Sequence, residues 1–147
     1  RTKHYKLPGG ALHPGEHIAD AVIREVLEET AVRTRFLSLA CFRHWHGYRH
    51  GKSDIYFVAR LEPLSFELRP DPTEIAECLW MPVDDYLSSE YTHAFNRRIV
   101  RAALQSKPGD AAPECGPLRP EVIEGYGTPE THELYFPEAN DESAEHP

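Results

Sequence analysis

Residues 7–32 read LPGGALHPGEHIADAVIREVLEETAV. From roughly Glu16 to Thr30 the spacing predicts an amphipathic helix, with Ala19, Val22, Ile23, Val26 and Thr30 on one face. Glu25, Glu28 and Glu29 stand at i, i+3 and i+4 and share another face. Like charges at that spacing cost roughly 0.2–0.5 kcal/mol per pair, and the C-terminal end of a helix favours cations. Arg24 can offset Glu28 through an i, i+4 contact, but not all three carboxylates. An acidic face bathed in solvent is the plain reading. The local conflict points to function instead, because sites that break local rules are often functional ones.

The flanks sharpen this. Pro8-Gly9-Gly10 is a turn, Glu16 follows Gly10 after five residues, and Arg24-Glu25 follows Glu16 after seven more. The run resembles the Nudix box, G-x5-E-x7-R-E-U-x-E-E-x-G-U with U aliphatic. Gly10, Glu16, Arg24, Glu25, Val26, Glu28, Glu29 and Val32 match it, and Ala31 stands where the family usually has Gly. Gly there would ease a left-handed C-cap, so the departure bears on how the helix ends rather than on the chemistry. His46, the run GYRHGKSDIYFVARLEPLSFEL and the later EIAECLWM are similar to a Nudix subgroup. That subgroup contains the fibroblast-growth-factor antisense-gene protein and plant ADP-ribose/NADH pyrophosphohydrolases. The likeness covers roughly residues 3–105.

The chain has 147 residues, the size of one domain with one core. Lys plus Arg number 16 against 24 Asp plus Glu, a formal net charge of −8. An acidic chain without a basic block is a poor nucleic-acid or membrane-surface binder. No run approaches the ~18 apolar residues of a membrane span, and the first residues lack a signal-like apolar stretch. Cys41, Cys78 and Cys115 are odd in number and far apart, which argues for reduced thiols and a cytoplasmic setting.

Pattern and punctuation place short strands at 4–7 and 10–12, then the helix. A hairpin of Phe36–Trp45 and Asp54–Leu61 follows. Short strands are expected at Ser65–Leu68 and Cys78–Met81, a short helix near Val83–Leu87, and a longer one over His93–Gln105. Residues 107–131 are dense in Pro and Gly and read as an extended loop. Leu134–Phe136 reads as a late strand. The domain is expected to span 1–137, with 138–147 a disordered acidic tail.

The resemblance implies an α+β chain of the α/β class, a Nudix-type α/β/α sandwich around a mixed sheet. It also implies strands before the Pro-Gly-Gly turn, which seven residues cannot supply. A sheet without them presents unpaired edges, so the chain is expected either to form a homodimer or to belong to a longer polypeptide.

Clustered carboxylates raise one another's pKa unless a cation intervenes, and Mg²⁺ or Mn²⁺ suits carboxylate oxygens. The resemblance implies that Glu25, Glu28 and Glu29 ligate the metal, with the Gly10 carbonyl and Glu16 nearby. Arg24 is read as orienting the carboxylates. Gly9 and Gly10 let the backbone approach closely, since no Cβ intervenes. A general base is sought outside the box, at Glu77 or Glu74, with Glu77 favoured; each is equally readable as a plain loop carboxylate. His44, His46 and His50 lack the partners of a zinc site. His46 has a minor reading as a substrate contact. Trp45, Tyr48 and Phe57 are read as core more readily than as a base-stacking surface. The expected function is metal-dependent hydrolysis of a diphosphate linkage in a nucleoside diphosphate joined to another group. ADP-ribose or NADH is favoured by the subgroup likeness. The alternative is a Nudix-fold nucleotide-binding or regulatory module without turnover.

Overall fold

The structure, a computed structural model, describes residues 4–48, 51–70, 75, 77–105, 118–121, 123–124 and 132–137. Its elements run α1 (Ile18–Thr30), β1 (Thr34–Tyr48), β2 (Lys52–Pro63), α2 (Val83–Ser88), α3 (Ala94–Gln105), β3 (Leu118–Glu121) and β4 (His132–Pro137). Valine, isoleucine and aromatic residues favour pleated pairing in β1 and β2. Gly47 and Gly51 have φ of 73° and 69°, which glycine adopts without strain. The strands pair antiparallel with Phe42 opposite Phe57 and Phe36 opposite Leu61. Register shifts between Phe36 and Ser38, and between Leu39 and Cys41, set Ala40 and Cys41 side by side in the core.

The sheet order is β2-β1-β4-β3. Along β2, Val58 and Arg60 face α3: Val58 joins the core cluster with Phe95 and Ile99, and the Arg60 guanidinium donates to the Ala103 carbonyl. Phe57, Ala59 and Leu61, of opposite parity, line the groove beneath α1. The layers are therefore helix, sheet, helix. The main core lies on the α3 side, where Phe95, Ile99 and Ala102 meet Leu134 and Phe136. Burying such a cluster stabilises by about 1.5–3 kcal/mol for each large side chain. Arg98 closes its edge, lying 4.1 Å over the Phe136 ring and forking onto both oxygens of Glu121.

Several expectations are corrected. The sheet of described residues is antiparallel in every pairing, not mixed. Residues 4–7 and 10–12 are not strands. Pro8 lacks a donor, and the Gly9 amide and Ala11 carbonyl are engaged by the side chains of Glu29 and Arg24 rather than by a ladder. Residues 65–68 and 78–81 are likewise irregular. Backbone bonds from Leu64 to Arg33 and from Arg69 to Thr30 hold the first of these stretches against the end of α1. The Trp80 indole donates to the Phe66 carbonyl and joins the two. A strand, β3, occupies 118–121 inside the stretch read as loop; it contains Pro120 and stands at the sheet edge, where proline is tolerated. Most of 107–131, and all of 138–147, lie outside the described residues.

Candidate functional site

Helix α1 begins two residues later than the spacing suggests, so Glu16 stands just ahead of it. There the His13 amide donates to Glu16 Oε2, and the Glu16 amide donates to the His13 carbonyl. The buried stripe of α1 is Ala21, Val26 and Thr30, which turns the glutamate face toward the Pro-Gly-Gly turn. The helix ends where Ala31 takes a left-handed conformation, φ 62°, its amide bonding to the Leu27 carbonyl. The Thr30 hydroxyl secures this end by donating to the Val26 carbonyl and accepting from the Val32 amide.

Arg24 is the hub of the cluster. Its Nε and Nη2 donate to the two oxygens of Glu16 at 2.8 and 3.0 Å. Nη1 donates to Glu25 Oε1 at 2.8 Å and to Glu28 Oε2 at 3.1 Å, and Nη2 also reaches the Ala11 carbonyl at 3.2 Å. One guanidinium thus serves more carboxylates than the i, i+4 pairing read from sequence. A planar fork of donors suits this task, and lysine would not reproduce it. The bonds from Arg24, then that from the His13 amide, hold the Glu16 carboxyl down at about 2, and the same carboxylates push Arg24 further above its ordinary range.

Glu29 takes a separate partner, accepting the Gly9 amide at 2.9 Å. Gly9 has φ 154°, a conformation side chains rarely adopt. Gly10 packs directly against Glu25: a Cβ on Gly10 would lie 2.3–2.5 Å from that carboxyl group. The absent side chain is the space the carboxylate occupies.

The structure therefore brings Gly9, Gly10, Glu16, Arg24, Glu25, Glu28 and Glu29 together. Glu77 is exposed and adjoins Cys78, whose thiol is pushed up by burial and by the charge of Glu29. Glu74 lies outside the described residues. His46 is exposed on β1, its ring 4.0 Å from that of His44, and it does not line the groove that contains Gly9, Gly10 and Glu25. Sequence reading missed the Ala11 carbonyl and the His13 amide, because every residue carries those groups and only folding selects which ones serve.

Among the described residues no three His, Cys, Asp or Glu side chains converge closely enough to enclose an ion as they stand, and Glu16, Glu25 and Glu28 are drawn onto Arg24. The donor set nevertheless fits a hard divalent cation. Its atoms are carboxylate oxygens, Gly10 leaves room for the Glu25 carboxylate, and the Glu28 side chain, bonded to Arg24 through one oxygen, is 58% exposed.

Several known proteins are similar to this chain in sequence. The chain is 40% identical over 91 residues to Nudix hydrolase 2 of Arabidopsis thaliana, covering 62% of this chain and 33% of that protein. It is 38% identical over 102 residues to nucleoside diphosphate-linked moiety X motif 6 of Mus musculus, covering 68% and 33%. The protein of the same name from Homo sapiens matches at 37% over 102 residues, 68% and 32%. The chain thus spans about a third of the length of the curated relatives it matches. The family model of the NUDIX domain matches residues 1–103, and with most of its length inside that match the chain belongs to the NUDIX domain family.

Proposed function

We propose that the chain hydrolyses the diphosphate linkage of a nucleoside diphosphate joined to another group, with ADP-ribose or NADH as leading substrates. The observation that carries this reading is the clustering of Glu16, Glu25, Glu28 and Glu29 around Arg24, against a glycine turn that leaves space for a carboxylate. The reaction adds water across one P–O–P linkage and yields two phosphate monoesters. Glu25, Glu28 and Glu29 would hold the cation, Mg²⁺ or Mn²⁺, with the Gly10 carbonyl and Glu16 beside them. When bound, such a cation neutralises the phosphate oxygens and lowers the pKa of its water. Arg24 holds the carboxylates in register, and the Gly9 amide fixes Glu29. Glu77 is assigned as general base, with Glu74 second; its exposure and its place beside Cys78 support a base reached from solvent. His46, outside the groove that contains Gly9, Gly10 and Glu25, is the less favoured of the candidate substrate contacts.

The test is divalent-ion-dependent release of phosphate monoesters over a panel of ADP-ribose, NADH, diadenosine polyphosphates and nucleoside triphosphates. Glu28→Gln and Glu29→Gln should each weaken Mn²⁺ binding and lower turnover about a hundredfold, within the range for losing an oriented ligand. Parent-like Mn²⁺ titration in both variants would reduce the acidic face to a solvated surface. Nucleotide binding without turnover of any substrate on the panel would favour a recognition module.

A further inference from the structure

A diphosphate that reaches the glutamate cluster brings negative charge to a place already negative. Glu16, Glu25, Glu28 and Glu29 set four carboxylates against the single guanidinium of Arg24. Four against one leaves three negative charges, and one divalent cation removes two of them. Arg24 has no donor to spare for a phosphate. A guanidinium carries five N–H groups. Those of Arg24 make two bonds to Glu16 and one each to Glu25, Glu28 and the Ala11 carbonyl, which uses every one of them. A side chain that receives the substrate must therefore be another cation.

The wall of the groove that contains Gly9, Gly10 and Glu25 has one candidate. Among the described residues lining this groove of about 670 Å³, Lys6 is the only base. It is exposed, and its ammonium makes no ion pair or hydrogen bond with another described residue. Its backbone, by contrast, is fixed on both sides. The Tyr5 amide donates to the Tyr91 carbonyl at 3.1 Å, and the Tyr5 carbonyl accepts from the Asn96 side chain at 3.3 Å. Leu7 packs against the core cluster, and the Gly9 amide is held by Glu29. A charged side chain without a partner among the described residues thus stands on a tethered backbone, in the groove that holds the Gly10–Glu25 contact. Lysine suits a phosphate there. It is a compact point charge on a flexible stem, able to meet an oxygen over a range of positions.

We propose that Lys6 binds the diphosphate of the substrate, its ammonium donating to a non-bridging phosphate oxygen. The assignment rests on the hydrolase reading for the class of ligand, a nucleoside diphosphate joined to another group. The contact forms when substrate binds and persists through the reaction, so Lys6 governs affinity rather than the rate of the bound complex.

The test is calorimetric binding of ADP-ribose with a methylene in place of the bridging oxygen, which cannot be hydrolysed, in millimolar Mg²⁺. It is paired with kcat and KM for ADP-ribose. Lys6→Ala should weaken binding of the analogue about tenfold, as loss of one charge-assisted bond does, and raise KM by a similar factor at unchanged kcat. Lys6→Arg keeps the charge and should stay within about threefold of the parent. Arg101→Ala removes a positive charge from an exposed position on α3, outside this groove, and should bind as the parent does. Mn²⁺ affinity without nucleotide should not fall in Lys6→Ala, which separates Lys6 from the ligands of the cation. Analogue binding by Lys6→Ala within about twofold of the parent overturns the proposal, and so does an equal loss in Lys6→Arg or in Arg101→Ala. Weaker binding in Lys6→Ala alone, with no turnover of ADP-ribose by the parent, would fail the hydrolase reading and still bear out the Lys6 contact.

Discussion

Gly10 packs against Glu25, and Gly10→Ala tests that contact. The new methyl carbon would start 2.3 Å from Oε2, 2.4 Å from Cδ and 2.5 Å from Oε1 of Glu25. Non-bonded carbon contacts settle near 3.5–4.0 Å, so the carboxylate must retreat by about 1 Å or more. It does not retreat freely, because Arg24 holds Oε1 at 2.8 Å while engaging Glu16 and Glu28. A misplacement of about 1 Å in a catalytic arrangement costs on the order of a hundredfold in rate. The backbone at Gly10 lies outside the left-handed region, unlike Gly9, Gly15, Gly47 and Gly51, so alanine is conformationally tolerated. Stability should therefore change by less than about 1 kcal/mol. Turnover of ADP-ribose at saturating Mn²⁺ should fall about a hundredfold while the melting temperature moves by only a few degrees. Turnover within about twofold of the parent would show that the Glu25 position is irrelevant to the chemistry.

Ala31→Gly should stabilise the chain, because a left-handed residue with a Cβ costs about 1–2 kcal/mol and glycine returns about 0.4–1 kcal/mol of that through its unfolded-state entropy. Urea denaturation checks this, and a lowered midpoint would contradict it. Glu16, held from 4.5 down to about 2, contributes stability that is complete above about pH 4.5 and lost as pH falls toward 2. Glu16→Gln should accordingly flatten the fall in melting temperature across that window; an unchanged slope would locate the acid sensitivity elsewhere. Cys41, pushed up to about 12 by burial, should resist iodoacetamide at pH 8 in the folded chain. Cys78, raised first by burial and then by Glu29, should react faster when Mg²⁺ offsets that charge. Peptide mapping of the alkylated thiols separates the two, and indifference of Cys78 to Mg²⁺ would count against a cation at Glu29.

The helix, the hairpin and the clustering of the glutamates were legible because periodicity and spacing are local properties. Ile18–Thr30 and the β1–β2 pair lie within a few residues of expectation. The stretches at 4–12 and 78–81 were not legible. Their apolar alternation resembles that of strands, while their backbone groups are claimed by Arg24, Glu29 and irregular packing that no local pattern reports. The reach of Arg24 was underestimated for a related reason. Helical spacing predicts its contact with Glu28, but contact with Glu16 and Ala11 depends on how the turn folds back. Strand β3 was hidden by Pro120, which argues against a central strand and is silent about an edge.

The polar frame around Arg24 has a consequence for how the chain acquires its shape. Its bonds join residues close in sequence: Arg24 to Glu16 spans 8 positions, and Gly9 to Glu29 spans 20. Closing such short loops costs little entropy, and contacts of this kind form early. The pairing of Phe42 with Tyr135, by contrast, must gather distant parts of the chain. The cradle and the sheet are therefore separable events, with the glutamates ordered by their neighbourhood before the long-range strands dock. Early closure does not make the cradle durable: the Gly9 bond to Glu29 is exposed, so native-state exchange should find the Gly9 amide released before the amides that pair β1 with β2 over the core.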